Sequence, residues 1–144
     1  MSEDEDAPSR AYDGDRSGRR RVFAPDLCEG LVALVTGGGT GLGRAIAQTL
    51  GEAGADLLLA ARNLERLDAA AAELRAATGR RVETAACNIR ERDSVEALAA
   101  RAAALYGHVD MLVNNAGGQF PSPARAIRPK GWQAVIDLNL NGTW

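Results

Sequence analysis

The sequence predicts an α/β protein, a doubly wound parallel sheet truncated after about four strands. Two observations predict it. Short apolar runs alternate along the chain with longer segments whose apolar residues recur at helical spacing. Five glycines between Gly37 and Gly43 separate the first apolar run from the first helical segment. Strand–helix alternation of this kind is typical of an open parallel sheet with right-handed crossovers and helices on both faces.

Bulk properties exclude several classes of protein. The chain has 144 residues, enough for one domain with a sizeable core, and a net charge of −2 that favours neither nucleic acid nor an anionic membrane. No apolar run approaches the roughly 20 residues that a membrane helix needs. Cys28 and Cys87 are interpreted as free thiols, and with no apolar export signal we expect a cytoplasmic location. The single histidine, His108, has no nearby partner ligand, so no metal site is expected.

The first 24 residues differ in composition from the rest of the chain. They carry many carboxylates and arginines and almost no aliphatic side chains. Such a segment buries too little apolar surface to offset the entropy of ordering, so residues 1–24 are predicted to form a disordered charged tail. The folded part is expected to be residues 25–144, and Phe23–Leu27 is expected to lead into the first strand. An alternative reading makes Arg19–Arg21 an interaction patch.

The elements of the predicted domain follow in regular order, and a glycine follows each of the first three helices as a C-terminal cap would. We expect Leu64 and Val95 to belong to the buried stripes of the second and third helices. The predicted strands are Val32–Val35, Asp56–Ala60, Val82–Ala86 and Val109–Val113. The predicted helices are Leu42–Ala53, Leu64–Ala77, Asp93–Tyr106 and a last helix from Pro129 to Trp144.

The glycine-rich stretch joins the first strand to the first helix and reads Thr36-Gly37-x-x-x-Gly41-x-Gly43. A Walker A loop would need a lysine and a hydroxyl residue where Arg44 and Ala45 stand, and the Gly-x-Gly-x-x-Gly pattern fits in no register. Glycines allow a ligand to approach the backbone, and the free N–H groups of a helix N-terminus suit a phosphate. A glycine turn without any ligand is the alternative.

The end of the second strand indicates which dinucleotide such a loop would take. Dinucleotide folds that bind NAD have a carboxylate about 20 residues after the glycines, where it binds the ribose 2′-hydroxyl. This chain has Ala61-Arg62 there. A carboxylate would repel a 2′-phosphate, whereas the guanidinium of Arg62 can bind it with charged hydrogen bonds, which favours NADP over NAD. The alternative is that Arg62 is a solvated loop residue.

The glycine stretch together with Asn114-Asn115-Ala116-Gly117, which follows the fourth strand, resembles the short-chain dehydrogenase/reductase family. The resemblance implies a Rossmann-like fold, with residues 25–144 as the N-terminal part of an NAD(P)-binding domain. It implies that Asn114 helps to fix the central sheet. The implied cofactor-binding residues are Thr36, Gly37, Gly39, Thr40, Gly41, Leu42, Gly43, Arg62, Asn88, Ile89, Asn115, Ala116 and Gly117.

Two further residues receive roles from the resemblance. Asn88 stands where the family usually has an aspartate that hydrogen-bonds the adenine amino group, and its amide oxygen can still accept that bond. Asn139 matches the asparagine of the family's catalytic tetrad, which holds a water in the proton relay. The alternative for Asn139 is helix capping or simple solvent exposure.

Within the family, Cys87–Arg90, Asn114–Phe120 and Lys130–Trp132 are similar to the enoyl-CoA and 2,4-dienoyl-CoA reductase branch. This similarity implies an oxidoreductase that transfers a hydride from NADPH to the β-carbon of an enoyl-CoA or related acyl thioester. A 3-oxoacyl thioester or an alcohol/ketone pair is the alternative substrate class. The family is usually homo-oligomeric, and no nucleic acid or membrane partner is implied.

The catalytic serine and the Tyr-x-x-x-Lys pair of the family have no match in these 144 residues. The only lysine is Lys130, with Ala126 four positions before it, and Tyr106 is followed four positions later by Asp110. We therefore expect the chain to be the N-terminal part of a reductase that is inactive alone, with its fourth strand left as an unpaired edge that favours aggregation. A catalytically inactive nucleotide-binding or interaction module is the alternative.

Overall fold

The computed structural model describes residues 24–144, so the expectations for the charged tail and for Phe23 concern residues outside this range. Four parallel strands form one sheet in the order β3-β2-β1-β4. This confirms the predicted Rossmann-like α/β class. The strands are β1 (Val32–Thr36), β2 (Asp56–Ala61), β3 (Val82–Ala86) and β4 (Met111–Val113). The α-helices are α1 (Gly41–Glu52), α2 (Leu64–Thr78), α3 (Arg92–Tyr106) and α4 (Pro129–Ile136).

The sheet is covered on both faces by side chains that alternate along its central strands. On one face Val35 and Leu57 pack with residues of α1 and α2, and both are fully buried. On the other face Leu34 and Leu58 pack with Leu98 of α3. Because β1 and β2 are buried on both sides, they are continuous apolar runs, as the sequence predicted.

Polar contacts tie the chain together at the rim where the strands begin. The Tyr106 hydroxyl donates to the Leu57 carbonyl at 2.8 Å, and the Arg81 guanidinium lies over the Tyr106 ring at 4.3 Å from its centroid. Burial raises the pKa of Tyr106 to about 12, although the Arg81 charge opposes the rise. Asp110 accepts a hydrogen bond from the Val32 N–H at 2.7 Å. These contacts place Tyr106 at the end of the sheet opposite the glycine stretch.

Most element bounds differ by one residue from the sequence expectation, and a few details differ more. β1 runs one residue further, to Thr36, and β4 begins at Met111 rather than Val109. Leu64 and Val95 are 43% and 38% exposed instead of buried. Both residues lie in the first turns of their helices, and each borders a surface cavity, Leu64 opposite Thr84 and Val95 opposite the π-helical segment that follows α4.

The last helix also departs from the prediction of one helix up to Trp144. The α-helical hydrogen bonding of α4 ends at Ile136, and residues 137–141 form a π-helical turn, which we call the π-turn (Asp137–Asn141). Within the described range, no helix is both long and apolar enough to cross a membrane. The π-turn carries Asn139, and such turns are frequent at functional sites.

One side of the sheet is open. Among residues 24–144, β4 pairs only with β1 and its other edge has no partner strand, as the sequence predicted. Leu112 is 58% exposed, and α4 has no buried residue. The described chain is therefore well packed around β1 and β2 and thinly covered beyond β4.

Candidate nucleotide-binding site

The candidate site lies where the carboxyl ends of β1 and β4 meet. The chain proceeds from β1 to β2 and β3 on one side, whereas β4 returns to the other side of β1. A crevice at such a switch point is where open α/β sheets bind their ligands. The glycine stretch after β1 and the Asn-Asn-Ala-Gly segment after β4 both begin there.

Thr36, the last residue of β1, ties these two segments together. Its Oγ1 donates to the Val113 carbonyl at 3.2 Å and accepts the N–H groups of Asn115 and Ala116 at 3.1 and 3.0 Å. The side chain is 5% exposed, and its single hydroxyl serves three backbone groups. A threonine here therefore fixes the turn after β4 against the end of β1.

Asn115 completes the same connection from the other side. Its Nδ2 donates to the carbonyls of Thr36 and Gly37 at 3.0 and 3.3 Å. The resemblance assigned the tie to the central sheet to Asn114, and this expectation is wrong, because the amide that reaches β1 is that of Asn115. Because its amide nitrogen is hydrogen-bonded to the start of the glycine loop, Asn115 holds that loop and the turn after β4 together.

The glycines of the loop are required by close contacts. Gly37 has a φ of +68°, and a Cβ there would lie 2.7 Å from Asn115 Nδ2. A Cβ on Gly43 would fall on the same amide and on the Gly37 carbonyl. The loop therefore folds back on the first turn of α1 with no room for a side chain at Gly37 or Gly43, which lets the backbone come close to a ligand.

The first turn of α1 fits a phosphate. Its N-cap, Thr40, makes no side-chain capping hydrogen bond, and the turn holds no acidic residue. Its N–H groups and the positive end of the helix are thus available to an anion. Gly39, Gly41 and Leu42 lie in the same loop, and Leu42 is 78% exposed. These residues fit the pyrophosphate of a dinucleotide.

Arg62 lies beside this loop, in a cleft of about 480 Å³ that the glycine stretch shares with the start of α2. The cleft is lined by Gly37, Gly39, Thr40, Ala61, Arg62, Asn63, Arg66 and Leu67. These lining residues include a second arginine, Arg66, and they include no carboxylate. The sequence analysis missed Arg66, although its position four residues after Arg62, in the first turn of a predicted helix, was a usable signal.

Asn63 explains why the two arginines share the cleft. Its side-chain oxygen accepts the Arg66 N–H at 2.8 Å and so caps α2 at the end of β2. A capped helix starts at a defined residue, which fixes the backbone of Arg62 just before the cap and that of Arg66 one turn into the helix.

Asn88 and Ile89 follow β3 on the other side of the crevice. The Asn88 oxygen accepts the Arg90 N–H at 3.3 Å, and its Nδ2 donates to Glu91 at 2.6 Å. The oxygen keeps a lone pair for a further donor such as an adenine amino group. Both residues border a cavity of about 920 Å³ between the start of α3 and the π-turn. Their cofactor roles stay predictions.

Asn139 is held against the loop that follows β4. Its amide donates to the Gly118 carbonyl at 2.8 Å and accepts the Gly118 N–H at 3.1 Å. A third bond runs to the Val135 carbonyl at 2.9 Å. A Cβ on Gly117 would lie 2.7 Å from the Asn139 oxygen, so the small residue permits this contact. The side chain thus clamps the loop, and its predicted catalytic role is not tested by this geometry.

The structure brings most of the predicted residues to one end of the sheet. The glycine stretch and Arg62 border one cleft, Asn115 is bonded to the start of that stretch, and Asn139 is bonded to Gly118 in the segment that follows. Among residues 24–144, no three His, Cys, Asp or Glu side chains converge in a group that could hold a metal ion. The arrangement can hold a dinucleotide, but the described residues do not include a tyrosine at this end of the sheet.

The chain matches the short chain dehydrogenase family over residues 31–144. It is 37% identical over 123 residues to a peroxisomal 2,4-dienoyl-CoA reductase of Danio rerio, covering 85% of this chain and 41% of the relative. It is 41% identical to a citronellol catabolism dehydrogenase of Pseudomonas aeruginosa PAO1, with a TM-score of 0.78 over 84% of this chain and 49% of that one.

A second solved structure similar to this chain has a bound cofactor. It is an L-sorbose reductase of Gluconobacter frateurii in complex with NADPH and L-sorbose, 31% identical, with a TM-score of 0.78 over 83% of this chain and 45% of that one. The chain spans about two-fifths of the length of the curated relatives it matches. The family match over residues 31–144 and the geometry of the crevice agree, and the chain belongs to the short-chain dehydrogenase/reductase family.

Proposed function

We propose that this chain provides the cofactor half of an NADPH-dependent oxidoreductase. The observation that carries the proposal is the cleft beside the glycine loop, where Arg62 and Arg66 are present and no carboxylate is. An arginine pair favours the 2′-phosphate of NADPH, and the missing carboxylate removes the usual partner of the NAD ribose. Structural relatives solved with NADPH and with 5-hydroxy-NADP support this choice.

The chain's own residues would bind and orient the cofactor. The glycine loop and the N-terminus of α1 would take the pyrophosphate, Arg62 and Arg66 the 2′-phosphate, and the Asn88 side the adenine. Ala116 and Gly117 would let the ribose approach the turn after β4. NADPH supplies a hydride when bound. Tyr106 is too far from the crevice to act as a proton donor there, because its hydroxyl donates to the Leu57 carbonyl at the opposite end of the sheet.

The substrate we propose is an enoyl-CoA or a related acyl thioester. Support comes from relatives in three animals that are named peroxisomal 2,4-dienoyl-CoA reductase. A 3-oxoacyl thioester or an alcohol/ketone pair remains the alternative, since structural neighbours include a citronellol catabolism dehydrogenase and an L-sorbose reductase. We also propose a cytoplasmic location. We propose that the protein forms homo-oligomers, as members of the family usually do.

Cofactor binding is the appropriate test, because the 144 residues contain no Tyr-x-x-x-Lys pair that would make turnover a fair readout. Titration calorimetry of the purified chain should give tighter binding of NADPH than of NADH. Charged hydrogen bonds contribute about 1.5 to 3 kcal/mol, so Arg62→Ala should weaken NADPH binding by about 10- to 100-fold and leave NADH almost unchanged.

Arg101→Ala is the matched control, because Arg101 is an exposed arginine on α3 whose Nε donates to the Thr84 carbonyl at 3.1 Å, and it borders neither the Arg62 cleft nor the cavity beside Asn88. It should bind both cofactors as the parent chain does. Equal affinity for NADPH and NADH in the parent chain would refute the NADP assignment. Loss of both cofactors in Arg62→Ala would indicate a structural role for Arg62 instead.

A further inference from the structure

β3 forms one edge of the sheet, and the direction of its backbone groups decides what that edge presents. Among residues 24–144, β3 pairs only with β2, in parallel. Just before β3 the Arg81 carbonyl accepts a hydrogen bond from β2 at 2.8 Å, and just after it the Cys87 N–H donates one to β2 at 3.0 Å. Because backbone groups alternate in direction along a strand, the N–H and C=O groups of Val82, Thr84 and Ala86 point away from the sheet.

Two arginines cover outward carbonyls of this edge, and we call Arg75 and Arg101 the edge arginines. Arg75, in the last turn of α2, donates from its Nε to the Val82 carbonyl at 2.7 Å, and its Nη2 donates to the same oxygen. Arg101, on α3, donates from its Nε to the Thr84 carbonyl at 3.1 Å. Because α2 and α3 pack on opposite faces of the sheet, the edge is covered from both faces.

Local helix energetics do not account for both edge arginines. A cation near a helix C-terminus is favourable, which applies to Arg75, but Arg101 lies in the middle of α3, where the helix dipole gives no such gain. Neither edge arginine forms an ion pair with a residue of the described range, whereas Arg44 and Arg92 both do. What the two edge arginines share is the outward carbonyl of β3 to which each donates.

The backbone of β3 is otherwise accessible from outside. A surface cavity of about 330 Å³ reaches Thr84 and Ala86, and Arg101 is among its lining residues. Ala86 is exposed, and the Thr84 hydroxyl is turned to α2, where it donates to Asp68 at 2.6 Å. A strand edge that presents outward backbone groups is a template on which another strand can pair. The guanidinium groups are therefore what separates this edge from an incoming strand.

The β3 strand of a second copy would fit this edge. In an antiparallel pair centred on Thr84, each Thr84 lies opposite the other, Val82 lies opposite Ala86, and Glu83 lies opposite Ala85, so no like charges face each other. The contact has two-fold symmetry and closes on itself. It would use the outward carbonyls of Val82, Thr84 and Ala86, and the edge arginines already occupy the first two.

We propose that Arg75 and Arg101 form an autoinhibitory contact that closes the β3 edge to strand addition by a second copy of this chain. Each guanidinium holds a carbonyl that an N–H of the second copy would need, and it lies where the incoming backbone would run. Pairing through β3 is thus compatible with the backbone and blocked by two side chains. This inference concerns assembly, and it does not depend on which cofactor or substrate the crevice binds.

The test is sedimentation velocity of the full 144-residue chain over a series of concentrations. R75A/R101A should self-associate about 10-fold more tightly than the parent chain, because it releases two acceptors in each copy. The matched control is R44A/R92A, which removes two exposed arginines paired with Glu73 and Glu96, and it should associate as the parent does. Arg101→Ala alone keeps the Val82 carbonyl covered and should also stay near the parent. Association through the β4 edge is common to all these chains, so their differences report on β3.

A proline at Thr84 identifies the surface that associates. The Thr84 N–H points away from β2, so proline removes an outward donor and no hydrogen bond of the sheet. R75A/R101A/T84P should return to the association of the parent chain, whereas R75A/R101A/T84V, which keeps the N–H, should stay associated. Hydrogen exchange gives a second readout, because the Thr84 amide of R75A/R101A should exchange more slowly as the protein concentration rises.

Two results would overturn the inference. The first is self-association of R75A/R101A that equals that of the parent chain and of R44A/R92A. The second is increased association of R75A/R101A in which the Thr84 amide exchanges at the same rate at every concentration, since the copies would then meet at another surface. Circular dichroism of each variant shows whether it is folded. Association that appears only where the folded signal is lost counts as the second result.

Discussion

Two leucines on either side of Leu34 show how differently the two sides of the sheet are built. Leu58 on β2 and Leu112 on β4 are both register partners of Leu34. Leu58 is fully buried under α3, whereas Leu112 is 58% exposed. The same residue type at the same height in the sheet is thus core on one side and surface on the other.

The two sides of the sheet are stabilised by different kinds of contact in the described chain. The β1–β2 side, which carries the glycine loop and Arg62, is held by apolar packing on both faces. The β4–α4 side depends on polar side chains, namely Thr36, Asn115 and Asn139, because α4 has no buried residue. The side with the glycine loop is therefore held mainly by apolar burial, and the β4–α4 side mainly by hydrogen bonds.

The two leucines give the largest expected contrast. Leu58→Ala should lower the free energy of unfolding by about 2 to 5 kcal/mol, because it removes a fully buried side chain. Leu112→Ala should cost less than about 1 kcal/mol, because water already reaches most of that side chain. Urea unfolding followed by circular dichroism measures both, and equal losses would contradict the division into two sides.

A pair of glycines gives the next contrast. Gly43→Ala places a methyl group on the Asn115 amide and the Gly37 carbonyl, so it should cost about 1 to 3 kcal/mol and weaken NADPH binding strongly. Gly131→Ala meets only the tip of the Phe120 ring, which can rotate, and alanine favours the helix. Its stability and NADPH affinity should stay near those of the parent chain. NADPH binding that is unchanged in Gly43→Ala would show that the loop does not cradle the cofactor.

Tyr106 makes the β2 side sensitive to high pH. Its pKa of about 12 in the folded protein lies above the ordinary tyrosine value of 10.0, so its contribution to stability is complete below pH 10 and is lost as pH rises toward 12. The loss should be about 1 kcal/mol, because the ring is only partly buried and water screens the phenolate. Tyr106→Phe should flatten the dependence of unfolding free energy on pH in this window. A slope that persists in the phenylalanine variant would assign it to other groups.

Asn139 should have the smallest effect on global stability and a clear local one. Its three hydrogen bonds are exposed, so Asn139→Ala should cost about 0.5 kcal/mol in urea unfolding. The Gly118 amide should nevertheless exchange its hydrogen faster, because its acceptor is lost. Asn141→Ala, which loses only a bond to Asp137 in the same π-turn, is the control and should leave Gly118 exchange unchanged. Unaltered Gly118 exchange in Asn139→Ala would mean that the clamp is not formed in solution.

Sequence reasoning predicted the β1–β2 side well for a physical reason. Apolar strands buried on both faces, such as Val32–Thr36, are continuous hydrophobic runs, and glycines at Gly79 and Gly107 adopt the left-handed conformation that ends a helix. These signals are local, so the sequence alone contains them. The glycine loop belongs to this group.

The details that sequence reasoning missed depend on contacts between distant residues. Val95 has the spacing of a buried residue, but it is 38% exposed because it borders the cavity between the start of α3 and the π-turn. Asn115 rather than Asn114 bonds to β1, which depends on how the chain leaves β4. The π-turn arises after α4, and its sequence reads as ordinary helix. Arg66 was the exception, because its helical spacing from Arg62 was visible.

The most direct test asks whether the glycine loop, Arg62 and the turn after β4 form one dinucleotide site in this chain. The ¹⁵N-labelled chain is titrated with NADP⁺ while the backbone amide signals are followed. We predict that the largest shifts fall in residues 37–43, 62–66 and 115–118, and that NAD⁺ at the same concentration moves 62–66 much less. Shifts confined to the cavity between residues 88–96 and 137–144, or no shift in residues 37–43, would contradict the account.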